Sequence, residues 1–259
     1  GIVTQAQRAK EETQEASIKE KLDFIALEKK LNESIATTGV VDETDIFLEM
    51  MGEKEITEED ISSFNDVLQS YGKQLIAINN VSDIQKIGID TNYPLNGLYI
   101  LLDNISLQGQ NWTPIGSQEE PFTGVLNGNN KTIEGLTMAN PEMNAGLLGV
   151  NNGSVKNLQL TNISISSAHI MVGGIVGQNN GLIENCHVQS GSVVGIESRV
   201  GGICGENYDG GVIQNCSNAA TVTAEYRLVG GICGYSKGGD IFNCENTGEI
   251  HGTYQVGGI

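Results

Sequence analysis

A single phrase returns along this chain at nearly constant spacing, and that return narrows the choice of folds more than any other feature. "VGGIVGQNNGLIENCHVQSGSVVGIESR" begins at Val172, "VGGICGENYDGGVIQNCSNAATVTAEYRL" at Val200, and "VGGICGYSKGGDIFNCENTGEIHGTYQ" at Val229. "VGGI" restarts at Val256, and a looser copy, "AGLLGVNNGSVKNLQLTNISISSAHIM", begins at Ala145. Successive starts lie 27, 28, 29 and 27 residues apart. A period in this range marks a stacked array, in which one unit cannot bury its own apolar face and its neighbours do so instead.

The pattern inside the unit selects the array. "GGIVG", "LIENCHV" and "SVVGI" alternate apolar and polar residues over short stretches, which is strand period. Gly and Asn separate the stretches, as turns require. No unit holds the ten or so residues at helical spacing that a helical repeat needs, and the L-x-x-L-x-L-x-x-N register of leucine-rich repeats is absent. The pattern therefore predicts a mainly β fold, a right-handed parallel β-helix (solenoid) of roughly six coils over 91–259, with each coil about 4.8 Å above the last. Equivalent residues should stack. Asn185-Cys186, Asn215-Cys216 and Asn243-Cys244 share one position. Cys204 and Cys233 share another with Val176 and Leu148, and Ile175, Ile203, Ile232 and Ile259 form a third. The cysteine count of five is odd, C-x-x-C is missing, and no His stands at zinc spacing, so buried free thiols are expected rather than bridges or a metal site. His169, His187 and His251 fall at unrelated repeat positions and read as solvated strand or turn residues.

The "VGGI[VC]G…NC" units resemble the GLUG repeat, a bacterial surface-protein module of IgA-protease-type metallopeptidases and filamentous-haemagglutinin-like adhesins. "NGLYILLDNISLQGQNWTPIG" and "PFTGVLNGNNKTIEGLTM" are similar to the coils that lead into such repeats, so the resemblance covers about 91–259. It implies a fold. The peptidase activity of some carriers belongs to a separate zinc domain with H-E-x-x-H, which this sequence lacks.

The first 39 residues, "GIVTQAQRAKEETQEASIKEKLDFIALEKKLNESIATTG", read as one long helix stopped at Gly39. Its apolar residues form two stripes. Ile18, Leu22 and Ile25 fall on one face, and Phe24, Leu27, Leu31 and Ile35 on nearly the opposite one. Two stripes imply two packing partners. "GIVTQAQRAKEETQEASIKEKL" resembles the part of a type IV pilin or pseudopilin helix that follows the membrane-spanning half. That resemblance implies that one face holds the head and the other meets pilin-like subunits, with membrane contact only through a hydrophobic segment preceding Ile2. An amphipathic helix capping the solenoid is the alternative. Residues 40–90 form a small acidic α-rich region that is expected to cap the first coil. "ITEEDISSFNDVLQSYG" offers Thr57 and Asp60 as an approximate capping box, a stripe of Ile61, Phe64, Val67 and Leu68, and a stop at Gly72. "KQLIAINNV" reads as a strand and "VSDIQKIG" as a short helix started by Ser82. The sequence breaks off on "VGGI" without a cap of its own, so further residues or a partner are expected there.

Charge restricts the partners. Residues 1–90 carry 9 basic and 19 acidic side chains, and residues 91–259 carry 5 and 13. Neither part offers the basic patch that a nucleic-acid backbone or an anionic membrane requires. No run of 18 apolar residues occurs. Catalysis on polysaccharide needs clustered carboxylates, and the nearest grouping is Glu206, Asp209, Lys237 and Asp240, all residue types at home in turns. Glu134 and Glu184 stand alone on exposed strands, and no G-x-S-x-G elbow appears. Tyr208 and Tyr235 follow successive "GGICG" strands, while Tyr226 and Tyr254 precede successive "VGG" starts. Stacked at coil spacing, such rings can pack on sugars or on protein. The expected function is non-enzymatic: an extracellular, cell-surface or pilus-associated adhesin, without cofactor or metal, binding glycan or host protein. A polysaccharide-active enzyme and an architectural module of a larger surface protein are the alternatives.

Overall fold

The computed structural model describes the backbone of residues 2–38, 41–108, 110–139, 144–168 and 171–259, and the side chains of these except 2, 3, 12–24, 36–38 and 198. The chain divides into two compact units, Gly1–Leu75 and Ile76–Ile259.

The first unit is helical. Helix α1 spans Ile2–Thr38, α2 spans Glu43–Met51 and α3 spans Glu58–Leu68. Asp42 caps α2 by accepting from the Thr44 and Asp45 N–H groups. The capping box expected at Thr57 and Asp60 is complete in both directions. A 3₁₀ turn extends α3, and Gly72 closes it in the left-handed conformation. Leu27, Leu31, Ile46, Phe47, Phe64, Val67 and Leu68 form the buried interior, with the Phe47 and Phe64 rings edge to face 4.9 Å apart.

The second unit is a parallel β-solenoid. Leu102 donates to the Ile78 carbonyl, and α4 (Val81–Gln85) follows; its cap is the Asn80 side chain rather than Ser82. Three faces then repeat. The first stacks Leu98–Leu101, Val125–Glu134, Ser154–Thr161, Leu182–Val188, Val212–Gln214 and Asp240–Phe242. The second stacks Thr137–Ala139, Ile163–Ser167, Gly191–Gly195, Thr221–Gly230 and Ile250–Gly257. The third stacks Leu148–Asn151, Val176–Asn179, Cys204–Tyr208 and Cys233–Lys237. These six strands, which Leu75–Ile78 precedes in the same sheet, enclose about five turns rather than the six expected from dividing length by period.

Register follows the expected ladders. Val176 pairs with both Leu148 and Cys204, and Cys204 pairs with Cys233. Cys186, Cys216 and Cys244 each direct Sγ at the carbonyl one coil back, those of Val155, Ile183 and Ile213, at 3.6, 3.7 and 3.8 Å. All five cysteines are free. Ile175, Ile203 and Ile232 are fully buried, while Ile259 is half exposed on the last rung.

The repeat's glycines mark close backbone approaches. A Cβ on Gly173, Gly201 or Gly230 would lie 2.2, 2.1 or 2.0 Å from the carbonyl oxygen three residues on. On Gly174, Gly202 or Gly231 it would lie 2.3 Å from a glycine oxygen of the next coil. On Gly205 and Gly234 it would lie 2.5 and 2.4 Å from the Val172 and Val200 nitrogens of the preceding coil. The phrase V-G-G-I-x-G is thus a record of how three backbones pass one another.

Asn157 and the asparagine of each "NC" pair bend the first face. Asn157, Asn185, Asn215 and Asn243 are all left-handed, with φ of 55°, 51°, 55° and 53°. Asn tolerates this conformation better than most residues. The bend resets the strand alternation, so that Ile183, Cys186 and Val188 all point inward and Glu184 and His187 point outward.

Candidate binding surface

Met171, Arg199, Leu228 and Gln255, each immediately before a "VG" pair, are left-handed at φ of 63°, 63°, 58° and 52°. At this stacked corner Met171, Arg199 and Leu228 are half-buried and Gln255 is exposed, and three cations of these coils meet tyrosine rings. The Arg199 guanidinium lies 5.3 Å from the Tyr235 ring centroid, Arg227 lies 5.5 Å from Tyr226, and Lys237 Nζ lies 5.9 Å from Tyr208. These are three of only five basic residues in 91–259. The Tyr226 and Tyr254 rings, 53% and 62% exposed, meet edge to face 6.4 Å apart. Tyr254 pairs through its backbone with Arg227, because the register shifts between Ala224 and Arg227.

The other two tyrosines do not stack as their sequence positions suggest. Tyr208 pairs with Lys237 and Tyr235 with Glu206, since "GENYDG" and "GYSKGG" place the ring two positions apart. The carboxylate grouping also separates. Glu206 is buried and donated to by Arg199 at 3.0 Å, which leaves it an ion-pair member rather than a partner of Asp209 or Asp240. Glu184 has company: Gln214 donates to it at 2.9 Å and Lys156 Nζ is 3.8 Å away. Glu134 accepts from Ser106 at 2.7 Å and from Asn162 at 3.4 Å.

Of the histidines, His169 lies outside the described residues, and His251 approaches Glu249 at 3.3 Å. His187 is not simply solvated. Its Nδ1 is 2.7 Å from Ser217 Oγ and its Nε2 is 3.0 Å from Asn185 Oδ1, and burial lowers its pKa. Sequence reading missed this contact because Ser217 lies 30 residues away, a distance that the 28-residue period converts into adjacency. Among the described residues no group of three metal-ligating side chains converges.

On α1, Leu27 and Leu31 are buried, whereas Ile25 and Ile35 are 62% and 49% exposed. Each four-residue step advances the face by about 40°, so Ile35 has turned well away from Leu27. The side chains of Ile18, Leu22 and Phe24 lie outside the described residues.

The fold defines a parallel β-solenoid, and the comparisons agree. The sequence profile described as "The GLUG motif" matches residues 197–223, one unit of the repeat. Among solved structures, the chain is similar to the crystal structure of "a putative immunoglobulin A1 protease from Bacteroides ovatus". The two are 26% identical with a TM-score of 0.59 over 70% of this chain and 59% of that one. The chain thus spans about three fifths of that protein's length. No curated protein matches.

Proposed function

We propose that this chain is a non-enzymatic binding module of a bacterial surface protein, an adhesin whose solenoid holds a tyrosine-and-cation edge toward glycan or host protein. The observation that carries the reading is the exposed Tyr226–Tyr254 pair with Arg227 over the Tyr226 ring. Paired rings present apolar faces that suit sugar C–H surfaces, and the cations favour acidic ligands on an otherwise acidic chain. Helix α1 would supply attachment to pilin-like subunits through the exposed Ile25 and Ile35, and the module would act outside the cell. A glycan array probed with the whole chain tests the binding claim. Acidic glycans should be retained, and the Tyr226→Ala/Tyr254→Ala double variant should lose them at least tenfold with an unchanged melting temperature. Retention by the double variant equal to that of the parent would refute it.

The similarity to the Bacteroides ovatus protein favours a second reading, in which the chain is an architectural or substrate-holding part of an immunoglobulin-directed enzyme. Binding of immobilised immunoglobulin A1, with no retention on the glycan array, would select this reading over the first.

A further inference from the structure

The asparagine hydrogen bonds along the first face run in one direction, and that direction is set at its start. The Asn129 backbone N–H, which can only donate, binds Asn127 Oδ1 at 3.0 Å. That oxygen therefore also receives the Asn157 Nδ2–H at 3.2 Å. With its nitrogen so used, Asn157 turns Oδ1 to Asn185 Nδ2 at 2.8 Å. Asn185 in turn offers Oδ1 to His187 Nε2 at 3.0 Å, so Nε2 carries the proton. The remaining nitrogen, Nδ1, is a lone pair aimed at Ser217 Oγ, 2.7 Å away. Burial disfavours the imidazolium and keeps this neutral tautomer at neutral pH.

Ser217, His187 and Asn185 thus have the relationship of nucleophile, base and orienting group, with a neutral amide in the third place. We propose that Ser217 is an acyl-accepting nucleophile, activated by His187 and held in that state by the asparagine ladder. Ser217 Oγ attacks the carbonyl carbon of a small, activated carboxylic ester. Its proton passes to His187 Nδ1, the bond to the leaving oxygen breaks, and His187 returns the proton to that oxygen. Ser217 is half-buried, which suits small acyl groups. The charged groups on the elements packed here are Glu184 on His187's own strand, Lys156, which is the register partner of Glu184 one coil back, and Glu245, the register partner of Ser217. The Glu245 N–H beside the site is committed to the Cys216 carbonyl and is not available to an oxyanion. Base assistance alone accelerates by about 10²–10⁴. The acyl group should therefore form and persist: one acylation per chain, without turnover.

The whole chain with p-nitrophenyl acetate tests this. A burst of about one p-nitrophenol per chain should appear, with acetyl mapped to Ser217 by peptide mass spectrometry. Ser217→Ala and His187→Gln should abolish the burst while retaining the parent's melting temperature. Asn185→Gly suits the left-handed backbone but removes the orienting amide and should slow the burst severalfold; Asn185→Asp, which still accepts from Nε2, should restore it. Acetyl spread over many serines and lysines, or an undiminished burst in His187→Gln, would overturn the proposal.

Discussion

Asn179 does more than its position in "GQNNG" suggests. Its oxygen accepts from Asn151 Nδ2 at 2.8 Å and from the Gly181 N–H at 3.2 Å, and its nitrogen donates to Asn207 Oδ1 at 3.0 Å. All three asparagines are fully buried. Asn179→Leu would leave the Asn151 and Asn207 amides and the Gly181 N–H without these partners, and should cost about 2–4 kcal/mol in urea unfolding. A loss under about 0.5 kcal/mol would show that the ladder is not a structural element. The thiols give a second residue-scale prediction. Burial raises the pKa of Cys204, and the hydrogen bond with Cys186 raises that of Cys216. Neither should react with a disulfide reagent at pH 8 until the chain unfolds. The thiol columns were legible in the sequence because cysteine recurs at the repeat period. The Asn151, Asn179 and Asn207 column is equally periodic, but its role comes from the turn it closes, and Asn is common enough in turns to hide it.

At the scale of elements, the glycines of V-G-G-I-x-G divide into contacts within a coil, with the next coil and with the preceding one. Gly205→Ala would place its Cβ against the Val172 nitrogen, backbone that cannot rotate aside, and should destabilise the second unit by about 3 kcal/mol. Thr57→Ala, which removes one half of the α3 capping box, should cost about 1 kcal/mol in the first unit. Differential melting of the two variants checks both. In the same box, burial acts to raise the Asp60 pKa but is outweighed by hydrogen bonds from Lys54 and Thr57, so its carboxyl stays below the ordinary range. That contribution is present at neutral pH and lost as pH falls through the lowered value. Elements were readable where period or capping chemistry announces them, as in the stacked strands and α3. The pairing of Tyr208 with Lys237 was not readable, because a ring's rung depends on its place within the turn as well as on the repeat phase. The left-handed corner at Arg199 was likewise hidden, since nothing about Arg favours that conformation.

In the second unit, the solenoid's interior is a continuous column of aliphatic and aromatic side chains and free thiols. The raised thiols of Cys204 and Cys216 contribute stability that is full below the unfolded thiol value, near 8.5–9, and is lost as pH rises above it. Melting temperature should therefore fall between pH 8 and pH 10, and Cys204→Val should reduce the slope. Reducing agent should leave it unchanged at pH 7, since no bridge is present. The binding edge and the Ser217 site both depend on one arrangement, coils that place residues 27–30 positions apart side by side. Amide-to-amide nuclear Overhauser effects in the isotopically labelled chain measure that adjacency most directly. Cross-peaks linking the strands that hold Ile183 and Ile213, and those that hold Cys204 and Cys233, are expected. A pattern of antiparallel cross-peaks between neighbours in sequence, with none at the repeat distance, would contradict the solenoid and everything placed upon it.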